Sequence, residues 1–137
     1  MADPLGGNDG DWEDALGLVW DEWTPERVVA RLDAGPRHHQ PYGIVHGGVY
    51  ASIVESVASH GAAAVAQRDG RAGVVGVSNT TDFLRSHRAG PLTCVGTPLH
   101  IGRTQHLWEV VITRDVDGKT VAHGQVRMQV LDELRDR

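Results

Sequence analysis

The residues that could do chemistry in this sequence cluster around a glycine turn and one carboxylate. Glu55 stands in a long apolar run that follows the turn His46-Gly47-Gly48. A carboxylate can act as a nucleophile or as a general base. The first N–H groups of a helix lack internal partners and carry the positive end of its dipole, so they can hold an oxyanion. Together these features predict chemistry on a carbonyl group.

The element that must position these groups is a helix that begins at the two glycines and continues to about residue 67. Apolar side chains cover more than half of its circumference, and Glu55 and Ser59 share the remaining stripe. The Ser59 hydroxyl can therefore position whatever the carboxylate attacks. Gly47 and Glu55 lie about 12 Å apart along such a helix, too far to act on one carbonyl within a single chain. A second subunit would bring the two groups together.

The types and spacing of these residues are similar to those of a known enzyme family. The similarity rests on Gln40, His46-Gly47-Gly48, Glu55, Ser59, the run Phe83-Leu84-Arg85 followed by Gly90 and Leu92, and the pair Gly102-Arg103. These residues resemble the hotdog-fold acyl-CoA thioesterases of the phenylacetate-degradation (PaaI) type, which include the Arthrobacter-type 4-hydroxybenzoyl-CoA thioesterase and the enterobactin proofreading thioesterase. The resemblance covers residues 16 to 131. Many members have Asp at position 55, and a proline is commoner where this chain has Ser86-His87.

The resemblance implies a fold and an assembly. In this family an antiparallel sheet of five to six strands wraps around one long central helix, which is an α+β hotdog fold. Two subunits pair so that the carboxylate of one faces the helix N-terminus of the other. We therefore expect a homodimer as the smallest active unit and, by analogy, a homotetramer as the assembly.

The resemblance also implies a role for each residue that carries it. The Gly47 N–H would polarise the thioester carbonyl of an acyl-CoA. Glu55 of the partner subunit would act as the nucleophile or as a general base on water. Gln40 and His46 would orient the carbonyl or the water, and Ser59 would support the carboxylate. The acyl group would be aromatic or of medium length, carried on CoA or on an acyl carrier protein.

Other residues are expected to bind the remainder of the substrate. Tyr50, Ile53 and Phe83 could line a pocket for the acyl group, and Gly48 is expected to contact the substrate beside Gly47 at the start of the helix. In the family, basic and hydroxyl residues after the third strand and in a later turn help to hold the nucleotide of CoA. The corresponding residues of this chain are Arg85, Arg103 and Thr104.

Two other functions remain open for the same fold. A hotdog enoyl-CoA or hydroxyacyl-CoA hydratase-dehydratase typically pairs a His with an acidic residue that is placed differently. A non-catalytic acyl-CoA-binding domain has no need for a carboxylate on the helix stripe. Assays with an enoyl-CoA and with acyl-CoA thioesters would separate the three functions.

Composition limits the classes of partner. With 137 residues the chain suits a single domain, expected at 12–137 after a disordered tail at 1–11 that is rich in Asp and Gly. A net charge of −5 argues against nucleic acid and anionic membranes as partners. The single cysteine, Cys94, excludes an internal disulfide, and the start of the sequence does not resemble a signal peptide. We expect a soluble cytoplasmic protein. The eight histidines show no metal-binding spacing, so neither a metal nor a cofactor is expected.

Alternating apolar and polar residues predict six strands. They are expected at residues 16–23, 27–34, 72–85, 92–101, 106–114 and 119–131. In the third strand, one face is expected to carry Val75, Val77 and Asn79, and the other Gly76, Ser78 and Thr80. Three tryptophans are expected to be packing residues: Trp12, Trp20 and Trp23.

Overall fold

A computed structural model describes residues 10–133 of the chain. Within this range the elements follow the predicted order, with one long helix and six strands. The helices are α1 (Trp12–Leu16) and α2 (Gly47–Arg68), and a 3-10 turn covers Pro36–His38. The strands are β1 (Val19–Trp23), β2 (Val28–Ala34), β3 (Gly73–Phe83), β4 (Gly90–Ile101), β5 (Gln105–Arg114) and β6 (Thr120–Leu131). The tail predicted at residues 1–11 lies outside the described residues except for its last two positions.

The core forms around helix α2, which is 22 residues long. The helix begins at Gly47, as the sequence predicts, and ends before the polar segment Asp69-Gly70. Ile53 and Val57 are fully buried. Because apolar residues surround most of this helix, other elements must cover it on most sides, and the sheet provides that cover.

The strands form one antiparallel sheet in the order β1-β2-β4-β5-β6-β3. One face of the sheet packs against α2, and alternate residues of each central strand point into this contact. In β2, Val28, Ala30 and Leu32 are buried, whereas Arg31 and Asp33 are exposed, as the sequence predicts. An antiparallel sheet around one long helix confirms the predicted α+β hotdog fold.

Strand β3 is a long edge of the sheet. Within residues 10–133 it pairs only with β6, and most of its side chains are exposed. The exposed side chains include Val77 and Phe83. The opposite edge strand, β1, has five residues against 11 in β3. A long edge strand with apolar side chains is a surface suited to pairing with another strand.

The first predicted strand starts too early. Leu16 belongs to the short helix α1, and the chain enters β1 only at Val19. The Asp11 side chain caps α1 by accepting a backbone N–H bond at 2.9 Å. Gly17 ends the helix with a φ of 81°, a conformation that favours glycine. These local caps and the burial of Leu16 make a helix of a segment that was predicted as strand.

Two of the three predicted packing tryptophans lie against the core. The Trp20 ring stacks on the imidazole of the fully buried His60, with ring centroids 3.6 Å apart. The Trp23 Nε1 donates to the His60 carbonyl at 2.7 Å. Trp12 is 60% exposed, so its predicted packing role is wrong.

The alternation predicted for β3 is also wrong. The register shifts between Gly76 and Ser78, so β3 has one more residue than β6 at this point. Gly76 and Asn79 consequently pair with Met128 and Val126 of β6, both of which are fully buried on the helix-facing side. Gly76 and Asn79 therefore share one face of the strand, although the sequence pattern assigned them to opposite faces.

The described residues contain neither a membrane-crossing helix nor a metal-binding cluster. Between residues 10 and 133, no helix is both long and apolar enough to cross a membrane. The same part of the chain has no group of three or more His, Cys, Asp or Glu side chains placed to hold a metal ion.

Cys94 is buried, and burial raises the pKa of its thiol to about 12. The thiol is therefore protonated and unreactive at neutral pH.

Candidate active site

A closely bonded loop leads from β2 into helix α2. His38 is buried in this loop, and its carbonyl accepts the His46 N–H at 2.8 Å. The Val45 N–H donates to the His87 carbonyl at 2.9 Å, which ties the loop to the segment after β3. These bonds hold the first turn of α2 in place relative to the sheet.

Gln40 is fixed in the same loop by both its backbone and its side chain. Its N–H donates to the Ile44 carbonyl at 2.9 Å, and its Oε1 accepts the Tyr42 N–H. Because Oε1 is used within the loop, the Nε2 hydrogens are the part of the side chain that can donate to a ligand. This arrangement suits the predicted role of Gln40, which is to orient a carbonyl or a water.

The side chain of His46 turns back onto the helix. Its Nδ1 accepts the Gly48 N–H at 2.7 Å, so His46 is the N-cap of α2. This bond uses the Gly48 N–H, whereas an α-helix has no internal acceptor for the N–H of its first residue, Gly47. His46 therefore caps the helix through Nδ1, and its role in orienting the substrate stays a prediction that falls to Nε2. Of the N–H groups of Gly47 and Gly48, that of Gly47 is therefore the one that can serve a ligand.

A cleft of about 270 Å³ opens beside the first turn of α2. Residues that are far apart in the sequence meet there, at the positive end of the helix dipole. The predicted site residues that line the cleft are Gln40, Gly47, Tyr50, Phe83 and Arg85. The rest of the lining consists of Ile44, Val45, Leu84 and Ser86. The cleft can hold an apolar group with its polar end near Gly47.

Two aromatic rings form one wall of the cleft. The ring centroids of Tyr50 and Phe83 lie 6.0 Å apart. Tyr50 is buried, and within the described residues its hydroxyl has no hydrogen-bond partner. Burial raises the pKa of Tyr50 to about 12, so the phenol is neutral at physiological pH. Phe83 is 57% exposed. The wall thus combines a buried ring with one that solvent reaches.

Of the predicted phosphate-binding residues, Arg85 is the one at the cleft. Its Nη1 donates to the Thr120 carbonyl at 2.8 Å, and its side chain is exposed. Arg103 and Thr104 lie in the turn after β4, near the other end of α2, where the Arg71 Nη1 donates to the Arg103 carbonyl at 2.8 Å. A single chain therefore does not bring these three residues around one phosphate group.

Glu55 lies two turns along α2 from Gly47 and is not part of the cleft lining. It is half-buried, and its Oε1 accepts the Asn79 Nδ2 at 3.1 Å. Among the hydrogen bonds of residues 10–133, none joins Glu55 to Ser59, which is half-buried on the same stripe. Asn79 is not among the site residues predicted from the sequence, which placed it only on a face of the third strand. The sequence feature that could have pointed to this contact is Gly76, because a glycine inside a strand pattern often marks a bulge, and a bulge changes which side chains face the helix.

Comparisons with known proteins connect these features to one family. The sequence model of the thioesterase superfamily matches residues 42–122. The Rv1847 protein of Mycobacterium tuberculosis is 47% identical over 122 residues, which cover 88% of this chain and 86% of the relative. Its solved structure superposes with a TM-score of 0.86 and 44% sequence identity, covering 90% of this chain and 98% of the other.

Two further relatives carry names that state a reaction. The proofreading thioesterase EntH of Cronobacter sakazakii is 35% identical over 97 residues, or 71% of this chain and 69% of the relative. The 1,4-dihydroxy-2-naphthoyl-CoA hydrolase of Listeria monocytogenes is 34% identical over 91 residues, or 66% of this chain and 72% of the relative. These matches agree with the resemblance carried by the sequence motifs and with the helix-in-sheet architecture. The chain therefore belongs to the thioesterase superfamily, and it is a thioester hydrolase with the hotdog fold.

Proposed function

We propose that this chain hydrolyses the thioester of an aromatic or medium-chain acyl-CoA to the free acid and CoA. The observation that carries this proposal is the cleft at the N-terminus of α2, which has the Gly47 backbone in its lining. A thioester carbonyl bound there would accept the Gly47 N–H. The helix dipole would then stabilise the negative charge that develops on the carbonyl oxygen.

Glu55 is proposed as the group that attacks the thioester or activates water. As a nucleophile, its carboxylate oxygen bonds to the thioester carbon, the CoA thiolate leaves and takes up a proton, and water then hydrolyses the mixed anhydride. As a general base, it takes a proton from a water whose oxygen bonds to the same carbon, the C–S bond then breaks, and the departing CoA thiolate takes up a proton. Both routes produce one carboxylic acid and one thiol. Ser59 supports the carboxylate or the water in either route.

The active unit is proposed to be a homodimer in which each subunit supplies Glu55 to the cleft of the other. Gly47 and Glu55 are about 12 Å apart along α2, whereas groups that act on one carbonyl must lie within about 3 Å of it. Strand β3 supports this assembly because it is a long edge that exposes Val75 and Val77. Glu55 lies beside this edge, so pairing of two β3 strands would bring it near the second subunit. Two such dimers would form the proposed homotetramer.

The acyl group is proposed to be apolar and its carrier to be CoA. Tyr50 and Phe83 provide an apolar wall, and the named activities of EntH and the naphthoyl-CoA hydrolase support a thioester substrate. The chain has a net charge of −5, so the anionic nucleotide of CoA needs local cations. Arg85 is the proposed cation at the cleft, and Arg103 and Thr104 are proposed to contribute across the assembly.

The test is hydrolysis of a panel of aromatic and aliphatic acyl-CoAs, measured as release of free thiol, with the same acyl groups also presented on an acyl carrier protein. Wild type should release thiol, and the rank order of rates identifies the acyl class and the carrier. Glu55→Ala should bind acyl-CoA but not turn it over.

Glu26→Ala is the matched control, because Glu26 is a strongly exposed carboxylate in the turn between β1 and β2. It should keep the wild-type rate. Wild-type turnover by Glu55→Ala would contradict the role of Glu55. Absence of thiol release from every thioester by wild type would contradict the proposed function itself.

A further inference from the structure

We propose that Asn79, held in turn by Thr81, positions the carboxylate of Glu55. This inference rests on the proposed function, in which Glu55 attacks the thioester or activates water. Asn79 and Thr81 lie on β3, whereas Glu55 lies on α2, so only the fold brings the three side chains together. Asn79 is thus a positioning residue that acts through Glu55 and not on the substrate.

The amide of Asn79 connects the strand to the helix turn that carries the carboxylate. Its Nδ2 lies 3.1 Å from Glu55 Oε1 and 3.1 Å from the carbonyl oxygen of Ala51. The Nδ2 group has two hydrogens, so it can donate to both acceptors. Ala51 stands one turn before Glu55 on α2. The amide therefore fixes the carboxylate relative to both the helix and the strand.

The orientation of this amide is determined from both sides. The Thr81 hydroxyl donates to Asn79 Oδ1 at 2.7 Å. A flipped amide would place Oδ1 against Glu55 Oε1 and the Ala51 carbonyl, and all three are acceptors. The Thr81 hydroxyl and the two helix acceptors thus favour the same orientation of the Asn79 amide, in which Nδ2 faces the carboxylate.

The second carboxylate oxygen, Glu55 Oε2, occupies space that is free because residue 76 is a glycine. A β-carbon at Gly76 would collide with Glu55 Oε2, so only glycine provides the space that this oxygen occupies. The bulge of β3 places Gly76 and Asn79 on the same face, where they contact the two oxygens of one carboxylate. Among the hydrogen bonds of residues 10–133, Oε1 is anchored and Oε2 has no partner, so we assign Oε2 to the reaction. An anchored carboxylate reacts faster because its geometry is fixed beforehand.

The kinetic test removes the donor and keeps the side-chain volume similar. In Asn79→Leu the kcat for the best acyl-CoA of the panel should fall about 10- to 100-fold, the effect expected for losing a hydrogen bond to a charged group. The KM should stay near the wild-type value, because Asn79 does not contact the substrate. Thr81→Val should lower kcat about 3- to 10-fold, since it removes a neutral hydrogen bond. Thr81→Ser should restore most of that loss.

The control is Thr80→Val, the same chemical change at the neighbouring position. Thr80 is exposed and pairs with Gln125 of β6 on the face opposite Asn79. Its kcat and KM should equal those of wild type. A purely structural tie between β3 and α2 predicts that Asn79→Leu lowers Tm and leaves the kcat of the folded protein unchanged. That result would overturn the inference.

A second measurement does not depend on turnover. The side-chain amide signals of Asn79 are observed by NMR in ¹⁵N-labelled protein, in wild type and in Glu55→Ala. The loss of the Glu55 acceptor should shift one of the two N–H signals, and Thr80→Val should leave both in place. Unchanged signals in Glu55→Ala would overturn the contact. If the signals shift and wild type releases no thiol, the contact stands and the proposed function fails.

Discussion

The aromatic ring of Phe83 lies directly against the backbone of Gly47 at the start of helix α2. A β-carbon at position 47 would come within 2.5 Å of Phe83 Cε2. Glycine at this position therefore does two things, since it admits the aromatic wall of the cleft and keeps the approach to its own N–H open. The same absence of a side chain serves packing and the proposed carbonyl site.

We expect Gly47→Ala to lose activity while keeping its fold. The Phe83 ring is exposed and can move, so the free energy of unfolding should change by less than about 1 kcal/mol. The new methyl group stands next to the Gly47 N–H and should hinder the approach of the thioester carbonyl, and loss of an oxyanion donor lowers kcat about 100-fold or more. Thiol release and thermal unfolding measure the two effects.

The double variant Gly47→Ala/Phe83→Ala separates a displaced ring from a blocked N–H. It is compared with Phe83→Ala, in which the ring is absent and position 47 remains glycine. If the methyl group blocks the carbonyl, the double variant should remain about 100-fold slower than Phe83→Ala. Equal rates would show that the ring, and not access to Gly47, determines the loss.

Gly76→Ala should lower activity by displacing the carboxylate of Glu55. The β-carbon would collide with Oε2, and the flexible Glu55 side chain would move rather than the strand. A displacement of about 1 Å typically costs about 100-fold in rate, so kcat should fall by that order. The matched control is Gly35→Ala, because Gly35 has an extended backbone and nothing lies within 4 Å of its β-carbon position. Wild-type kcat in Gly76→Ala would mean that Glu55 reacts from a different position.

The sequence predicts the elements of this fold where local periodicity is strong. Helix α2 follows from a long apolar run after two glycines, and β2 follows from strict alternation between Val28 and Ala34. Helix α1 has five residues, too few to show a helical period, and depends on the Asp11 cap and the burial of Leu16. Short elements that are held by caps and tertiary contacts are the ones that sequence periodicity does not predict.

The residues of the candidate site were likewise predicted only in part. Motif spacing predicts Gln40, Gly47 and Phe83, and the structure brings them to one cleft. The contact between Asn79 and Glu55 depends on one extra residue in β3, which changes the face of every side chain that follows it. A register shift leaves little trace in local sequence, so long-range contacts to a known motif residue escape prediction.

Gly61→Ala should destabilise the protein although it improves helix propensity. Gly61 lies on α2 against the fully buried Trp108, and a β-carbon there would collide with the indole ring. Overpacking of a core costs about 1–3 kcal/mol, and replacing a helical glycine by alanine returns about 1 kcal/mol. We expect a net loss of about 1 kcal/mol in urea unfolding. Ala63→Gly, at a half-exposed position of the same helix, measures the propensity term alone. Net stabilisation of Gly61→Ala would show that Trp108 has room to move.

The protein should lose stability at high pH because the Cys94 thiol and the Tyr50 phenol are buried in their protonated forms. Burial raises the pKa of Cys94 from 9.0 to about 12 and that of Tyr50 from 10.0 to about 12. Above pH 9 the unfolded chain therefore loses these protons while the native protein retains them. The unfolded state then binds fewer protons, so the free energy of unfolding falls as pH rises, by about 1.4 kcal/mol per pH unit for each group that is ionised only in the unfolded state.

Urea unfolding at intervals from pH 8 to pH 11 measures this slope. Both contributions are fully present below pH 9 and disappear as the pH approaches 12. Cys94→Ala should flatten the curve from pH 9 upward, and Tyr50→Phe should do so from pH 10 upward, because each removes one group that titrates differently in the two states. The two effects should add in the double variant. If the free energy of unfolding of the double variant falls with pH as steeply as that of wild type, other groups cause the alkaline loss of stability. Burial would then not raise the pKa of Cys94 and Tyr50.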